Sequence, residues 1–313
     1  MAYTMMALRA HTRGGPEQLV YEQAPMPEPG PGEVLVAVHA AAITFAELSW
    51  DLSWTTRDGA DRTPAIPSHE VSGTVAGLGP GVQGLALGDE VYGLVDFDRD
   101  GAAAEYVSAP AAALAAKPRT VSHVEAAALP LAALTAWQAL TDQAALKAGE
   151  SVLINGGAGG AGVYGVQLAS ILGGHVIATD LPAQAGFVRD LGAHRFIDVT
   201  TERFDEAVHD QDVVLDTVGG STMERSFGVL RPGGRLVTLS APPPDGLALQ
   251  HQVQALFFVV RPDRDELAQL AALVDDGKLR PIVSRTFPLA QGRQAYESGS
   301  LPRPPGKTVL IVR

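Results

Sequence analysis

The sequence predicts an α/β fold in which a doubly wound parallel sheet is joined to a smaller, mostly antiparallel β domain. Three observations carry this. Residues 152–180 run from a short apolar segment through a glycine-rich turn and a segment of helical spacing to a second apolar run that ends in an acid. Before residue 120, short strand-like runs are separated by Gly and Pro. After about 120, strand and helix patterns alternate.

In chain order, residues 5–11 and 18–24 read as paired strands around Gly14-Gly15-Pro16. Pro25, Pro27, Pro29 and Pro31 break regular structure, and 33–41 is an almost continuously apolar strand. A short helix is expected at 44–48. Trp50 and Trp54 follow in a polar loop, where they suit a pocket wall, a domain interface or plain core packing. Residues 66–79, 90–94 and 103–107 add strands, giving a small barrel-like β domain. Ser122 with Glu125 three positions on forms a capping-box signature. Pro130 then opens a helix over 131–140.

From Val152, strands are expected at 152–155, 175–179, 194–198, 212–216, 235–239 and 255–260. The helices are expected at 162–172, 183–191, 222–230 and 265–275. Strands at 283–289 and 307–312 return to the first domain. The domains are therefore 1–121, 122–283 and a return segment 284–313.

The chemistry concentrates in the glycine turn. Gly156, Gly159 and Gly162 are spaced G-x-x-G-x-x-G, a variant of the dinucleotide fingerprint G-x-G-x-x-G. Glycines allow a tight turn and close approach of a pyrophosphate, and the next helix offers unpaired N–H groups to that anion. Gly160, Ala161 and Val163 complete the expected contact. Asp180 lies 21 residues after Gly159, near the spacing of a ribose-binding acid. A carboxylate there disfavours a 2′-phosphate, so NADH is favoured and NADPH stays open, with Arg189 as the nearest cation downstream. Ser240 and Ala241 follow a strand end, where ligands of parallel sheets bind.

Composition closes other routes. There is no cysteine, so disulfides, thiolate catalysis and Cys-built zinc sites are excluded, and no metal is expected. A net charge of −12 argues against nucleic acid as partner. No apolar run reaches the length of a membrane span, and the opening residues do not make a signal peptide, so a cytoplasmic protein is expected.

Taken together, the motifs resemble the zinc-independent quinone oxidoreductase branch of the medium-chain dehydrogenase/reductase superfamily. His69 to Val75 resembles a G-H-E/D-x-x-G-x-V element with Ser68 in place of its glycine. Gly88 to Gly93 resembles G-D-x-V-x-G, and Ala104-Glu105-Tyr106 resembles A-E-Y. Leu134 to Leu140 is similar to L-T-A-x-x-A-L, Gly156 to Gly162 to G-x-x-G-G-x-G, and Gly306-Lys307-Thr308-Val309 closes the series.

The resemblance implies a GroES-like domain built from both ends of the chain, a Rossmann domain between them, and commonly a homodimer. It also implies NAD(P)H-dependent reduction of a small-molecule acceptor, a quinone or an α,β-unsaturated carbonyl, in the cleft between the domains. Enoyl-thioester or natural-product tailoring reduction, and nucleotide binding without turnover, are the alternatives. Where the family carries Asn and Asp in A-x-x-N-x-x-D, this chain has Thr44 and Glu47. Thr44 remains able to donate a hydrogen bond to a substrate oxygen. The resemblance puts Thr135 near the nicotinamide, with Val218, Phe258 and Val260 along the cofactor and Lys307 reaching it from the tail. It leaves His69, Tyr92, Trp50 and Trp54 to line the substrate pocket.

Overall fold

The computed structural model describes residues 3–302 and 304–313. The chain divides into two compact units, one of residues 1–134 and 261–313, the other of residues 135–260. The division falls later than residue 122 and earlier than residue 284, the boundaries that motif spacing suggests. Both shifts have a packing cause. The helix that opens at Ser122 packs on strands of the first unit, and so does the helix at 264–275.

The first unit begins with β1 (Thr4–Ala10) and β2 (Leu19–Pro25), an antiparallel pair. β3 (Glu33–Ile43), β4 (Glu70–Leu78), β5 (Glu90–Leu94), β6 (Tyr106–Pro110) and β7 (Leu114–Ala116) follow. β3 is buried along nearly its whole length, which explains its unbroken apolar run. β6 begins three residues later than the expected strand at 103–107. The segment 44–48 forms only a 3₁₀ turn, at Glu47–Ser49. α1 (His123–Ala127) carries the capping box in full, with Ser122 Oγ accepting from the Glu125 amide and the Glu125 carboxylate accepting from the Ser122 amide. α2 (Pro130–Gln138) crosses into the second unit.

The second unit holds β8 (Ser151–Asn155), α3 (Gly162–Ile171), β9 (His175–Asp180), α4 (Ala185–Asp190) and β10 (Arg195–Asp198). It continues with α5 (Phe204–Ala207), β11 (Gln211–Asp216), α6 (Gly220–Ser226), β12 (Leu230–Thr238), α7 (Leu247–His251) and β13 (Gln254–Phe257). All six strands are parallel, in the order β10-β9-β8-β11-β12-β13. The order reverses between β8 and β11, the switch point at which doubly wound sheets bind ligands. α3 is buried all round from Gly162 to Ala169, and its sequence is correspondingly apolar on every face. Two expectations are corrected. The strand expected over 255–260 stops at Phe257 and is an edge strand. The helix expected over 222–230 is α-helical only from Gly220 to Ser226 and tightens to 3₁₀ over Phe227–Val229, because Leu230 already belongs to β12.

The chain then returns to the first unit. α8 (Arg264–Asp275) is capped by Asp263, whose carboxylate accepts from the amides of Asp265 and Glu266. β14 (Val283–Pro288), α9 (Gly292–Glu297) and β15 (Lys307–Ile311) complete it. The sheet runs β14-β15-β3-β4-β5-β7, with β6 also on β3. Among the described residues no helix is long and apolar enough to cross a membrane.

Candidate functional site

In the second unit the site is the turn after β8. Gly156 has φ +76°, and its amide and that of Gly157 donate to the Thr179 carbonyl at 3.1 and 2.9 Å. A Cβ on Gly162 would stand 1.9 Å from the Gly156 carbonyl oxygen, so only glycine closes this turn. The amide of Gly159 donates to Gly156 O, and that of Val163 to Gly159 O. Among the described residues the amides of Gly160, Ala161 and Gly162 have no protein acceptor. Three free donors at the start of a ten-residue helix fit the pyrophosphate of a dinucleotide. Val163 is not a contact of this kind, since its side chain is fully buried and its amide is used within the turn.

Asp180 closes the neighbouring strand and is half-buried. Its Oδ2 accepts from the Ala158 amide and its Oδ1 from the Leu181 amide, both at 2.8 Å. The acid thereby fixes the turn to the end of β9. Beneath the turn lies a buried polar network. Asn155 Nδ2 donates to Ser226 Oγ at 2.9 Å, Thr179 Oγ1 donates to Asn155 Oδ1 at 3.3 Å, and Thr217 Oγ1 donates to the Asn155 carbonyl at 2.8 Å. Asp216 accepts from Thr238 Oγ1 at 3.1 Å and from the Gly219 amide at 2.9 Å, and burial raises its pKa. Val218 is exposed and overhangs Gly156, while Ser240 packs on Gly219 and bonds Thr238. Ala241 is exposed, Phe258 half-buried and Val260 buried. Thr135 is half-buried in α2.

In the first unit the polar residues gather where three strands end. Thr308 pairs with Ile43 and Ala42 with Glu70, which brings Lys307, Thr44 and Glu70 side by side. Lys307 Nζ donates to Thr44 Oγ1 at 2.9 Å and stands 2.5 Å from Glu70 Oε2. Glu70 Oε1 accepts from the Leu131 amide at 3.1 Å. Glu70 is fully buried, and this desolvation raises its pKa against the pull of Lys307. Glu47 is buried one turn away. Its Oε1 accepts from the Thr44 amide at 3.1 Å and from the Tyr296 hydroxyl, and its Oε2 from the Ser68 amide at 3.0 Å. Burial pushes the Glu47 carboxyl up to about 7.

Ser68 occupies the left-handed region at φ +71°, the conformation that a glycine would take without strain. Its hydroxyl donates to the Ala42 carbonyl at 2.8 Å.

Trp50 and His69 are brought together around Phe97, each edge-on to its ring at 5.3 Å. Trp54 is buried and donates through Nε1 to the Leu48 carbonyl. Trp54, His69 and Arg62 line a cavity of about 10 Å³, at the lower limit of what admits one water, and His69 Nδ1 has no hydrogen-bond partner. Burial first, and then Arg62, push the His69 imidazole down to about 3, so it is neutral. Tyr92 does not line a pocket. It is fully buried, and its hydroxyl donates to the Leu267 carbonyl at 2.6 Å.

The residues do not fit a zinc centre. The chain lacks cysteine, and among the described residues no group of three His, Cys, Asp or Glu is placed to hold a metal ion. Sequence reasoning missed Tyr296, Asn155 and Asp216. Asn155 and Asp216 had a signal, as polar residues ending apolar strands; Tyr296 had none.

Two family descriptions match, "Alcohol dehydrogenase GroES-like domain" over residues 30–119 and "Zinc-binding dehydrogenase" over residues 191–310. A probable zinc-binding oxidoreductase, mitochondrial, from Arthroderma benhamiae is 32% identical over 94% of this chain and 93% of its own length. The spectinabilin polyketide synthase system protein NorB of Streptomyces orinoci is 36% identical over 92% of this chain, which spans 14% of that protein. The solved quinone oxidoreductase of Coxiella burnetii superposes with a TM-score of 0.90 at 32% identity, covering 99% of this chain and 100% of the other.

Proposed function

We propose, from the premise that this chain belongs to the medium-chain dehydrogenase/reductase superfamily and is an NAD(P)H-binding oxidoreductase acting on carbonyl- or enone-type substrates, that its acceptor is a quinone or an α,β-unsaturated ketone. When bound, the nicotinamide cofactor supplies a hydride. The protein's part is to position the acceptor and to stabilise the negative charge that grows on its oxygen. The observation that carries the reading is Thr44, a half-buried hydroxyl whose backbone is pinned by Glu47 and whose oxygen is covered by Lys307. Within the first unit Trp50 would help shape the acceptor's surroundings; within the second, Thr135, Ser240, Ala241, Phe258 and Val218 are the residues read as lining the cofactor.

The reading includes a preference for NADH. The Asp180 carboxylate beside the turn would repel a ribose 2′-phosphate, and Arg189 is engaged over the Phe196 ring. The enzyme is further read as a cytoplasmic homodimer, which cell fractionation and light scattering check.

The test is oxidation of NADH and NADPH by the purified protein against a panel of quinones and enones, with and without a chelator. Chelator-insensitive turnover with lower KM for NADH supports the reading. Preference for NADPH refutes the Asp180 assignment, and Asp180→Ser should raise the relative use of NADPH if the assignment holds. A second reading, reduction of an enoyl thioester, is favoured by the likeness to a polyketide synthase protein. Faster turnover of crotonyl thioesters than of any free quinone or enone would select it.

A further inference from the structure

Thr44 has an unusual hydrogen-bonding situation. A lysine ammonium carries only donors, so the contact from Lys307 Nζ must use a lone pair of Thr44 Oγ1. The hydroxyl's own proton then points elsewhere, and among the described residues nothing accepts it. Lys307 is itself held. It is 6% exposed, begins β15 directly opposite Thr44, and is tied to the fully buried Glu70, whose second oxygen is fixed by the Leu131 amide. Gly306 sets its position, since a Cβ there would stand 2.3 Å from the Ile282 carbonyl oxygen.

We propose that Lys307, anchored by Glu70, is a positioning residue that makes the Thr44 hydroxyl a dedicated donor and resupplies its proton. This rests on the reading that the acceptor's oxygen meets Thr44, and it assigns Lys307 away from the cofactor. A bound NAD(P)H would supply the hydride, with its electron pair, to the acceptor carbon, and would itself be oxidised as the acceptor is reduced. The acceptor oxygen gains the negative charge and forms an O–H bond as the Thr44 O–H bond breaks. Thr44 Oγ1 re-forms its O–H bond from a Lys307 N–H bond. The neutral amine recovers a proton from water after product leaves.

The test compares Thr44→Val, Lys307→Met, Lys307→Arg and the double variants Thr44→Val/Lys307→Met and Lys307→Met/Glu70→Gln. Turnover is followed with protiated and 4-deuterated cofactor in H₂O and D₂O. The Lys307→Met/Glu70→Gln protein removes both buried charges together and so avoids an orphaned carboxylate. Loss of the relay should lower kcat about 100-fold with little change in KM. The solvent isotope effect should fall in step. Lys307→Arg keeps the charge but holds its proton, and should lose most of kcat as well. Because the two residues act as one unit, Thr44→Val/Lys307→Met should be no slower than the worse single variant. A folded Lys307→Met/Glu70→Gln protein with wild-type kcat and solvent isotope effect overturns the proposal. So do multiplicative losses in Thr44→Val/Lys307→Met, or full activity in Lys307→Arg. A wild-type protein that reduces neither quinones nor enones overturns the underlying reading, and the relay with it.

Discussion

Replacing Glu47 by glutamine should remove a pH-dependent part of the first unit's stability. Three donors converge on the Glu47 carboxyl group, from the Thr44 and Ser68 amides and the Tyr296 hydroxyl, yet its burial raises the pKa from 4.5 to about 7. A group whose pKa is higher folded than unfolded takes up a proton on folding between those two values. Its contribution is complete below about pH 4.5 and is lost as the pH rises through about 7. The whole span corresponds to about 3 kcal/mol. Glutamine cannot titrate. It also places an amide NH₂ against one of the three donors, which costs about 1–3 kcal/mol at every pH.

Urea unfolding at about pH 5 and about pH 8 separates these effects. The chain has three tryptophans, Trp50 and Trp54 in the first unit and Trp137 in the second. In a Trp137→Phe background, fluorescence therefore reports on the first unit alone. The unfolding free energy of the parent minus that of the Glu47→Gln variant should shrink by about 3 kcal/mol from the lower pH to the higher. A difference that does not change with pH would refute the reasoning.

Three further outcomes are expected. Ser68→Ala keeps the left-handed strain and loses the bond to Ala42, so thermal unfolding should show a loss of about 1 kcal/mol or more, whereas Ser68→Gly trades that bond for relief of strain and should stay within about 0.5 kcal/mol of wild type. Gly162→Ala forces a Cβ onto the Gly156 carbonyl and should abolish dinucleotide binding measured by calorimetry. Tyr92→Phe should lower stability by about 1 kcal/mol in urea and leave kcat unchanged, because the hydroxyl serves only the α8 contact.

The parts of this fold that were legible in the sequence are those ruled by local chemistry. The capping box at Ser122 and Glu125, the glycine spacing of the turn and the apolar strands each need only a few neighbouring residues. Element ends were less legible. The α-helix after Gly220 tightens to 3₁₀ over Phe227–Val229 because Leu230 is claimed by β12, a tertiary demand that helical periodicity cannot register. The candidate site was half legible. Thr44 and Asp180 stood out by position in a motif. The pairing of Glu47 with Tyr296 spans 249 residues and leaves no trace in spacing. Tyr92 misled for a related reason, since its partner Leu267 is 175 residues away.

The position of β15 between β14 and β3 bears on how the protein is made. During synthesis, residues 135–260 emerge as one contiguous stretch and contain every strand of their sheet, so that unit can form while the chain is still growing. The first unit has no such freedom. Its strand β3 keeps the Ala40–Ile43 part of one edge unpaired until residues 307–311 leave the ribosome, and until then it offers that short apolar stretch to any other nascent strand. The half translated first is therefore the half completed last, and its exposure to chaperones or misassembly is set by the time taken to translate the other.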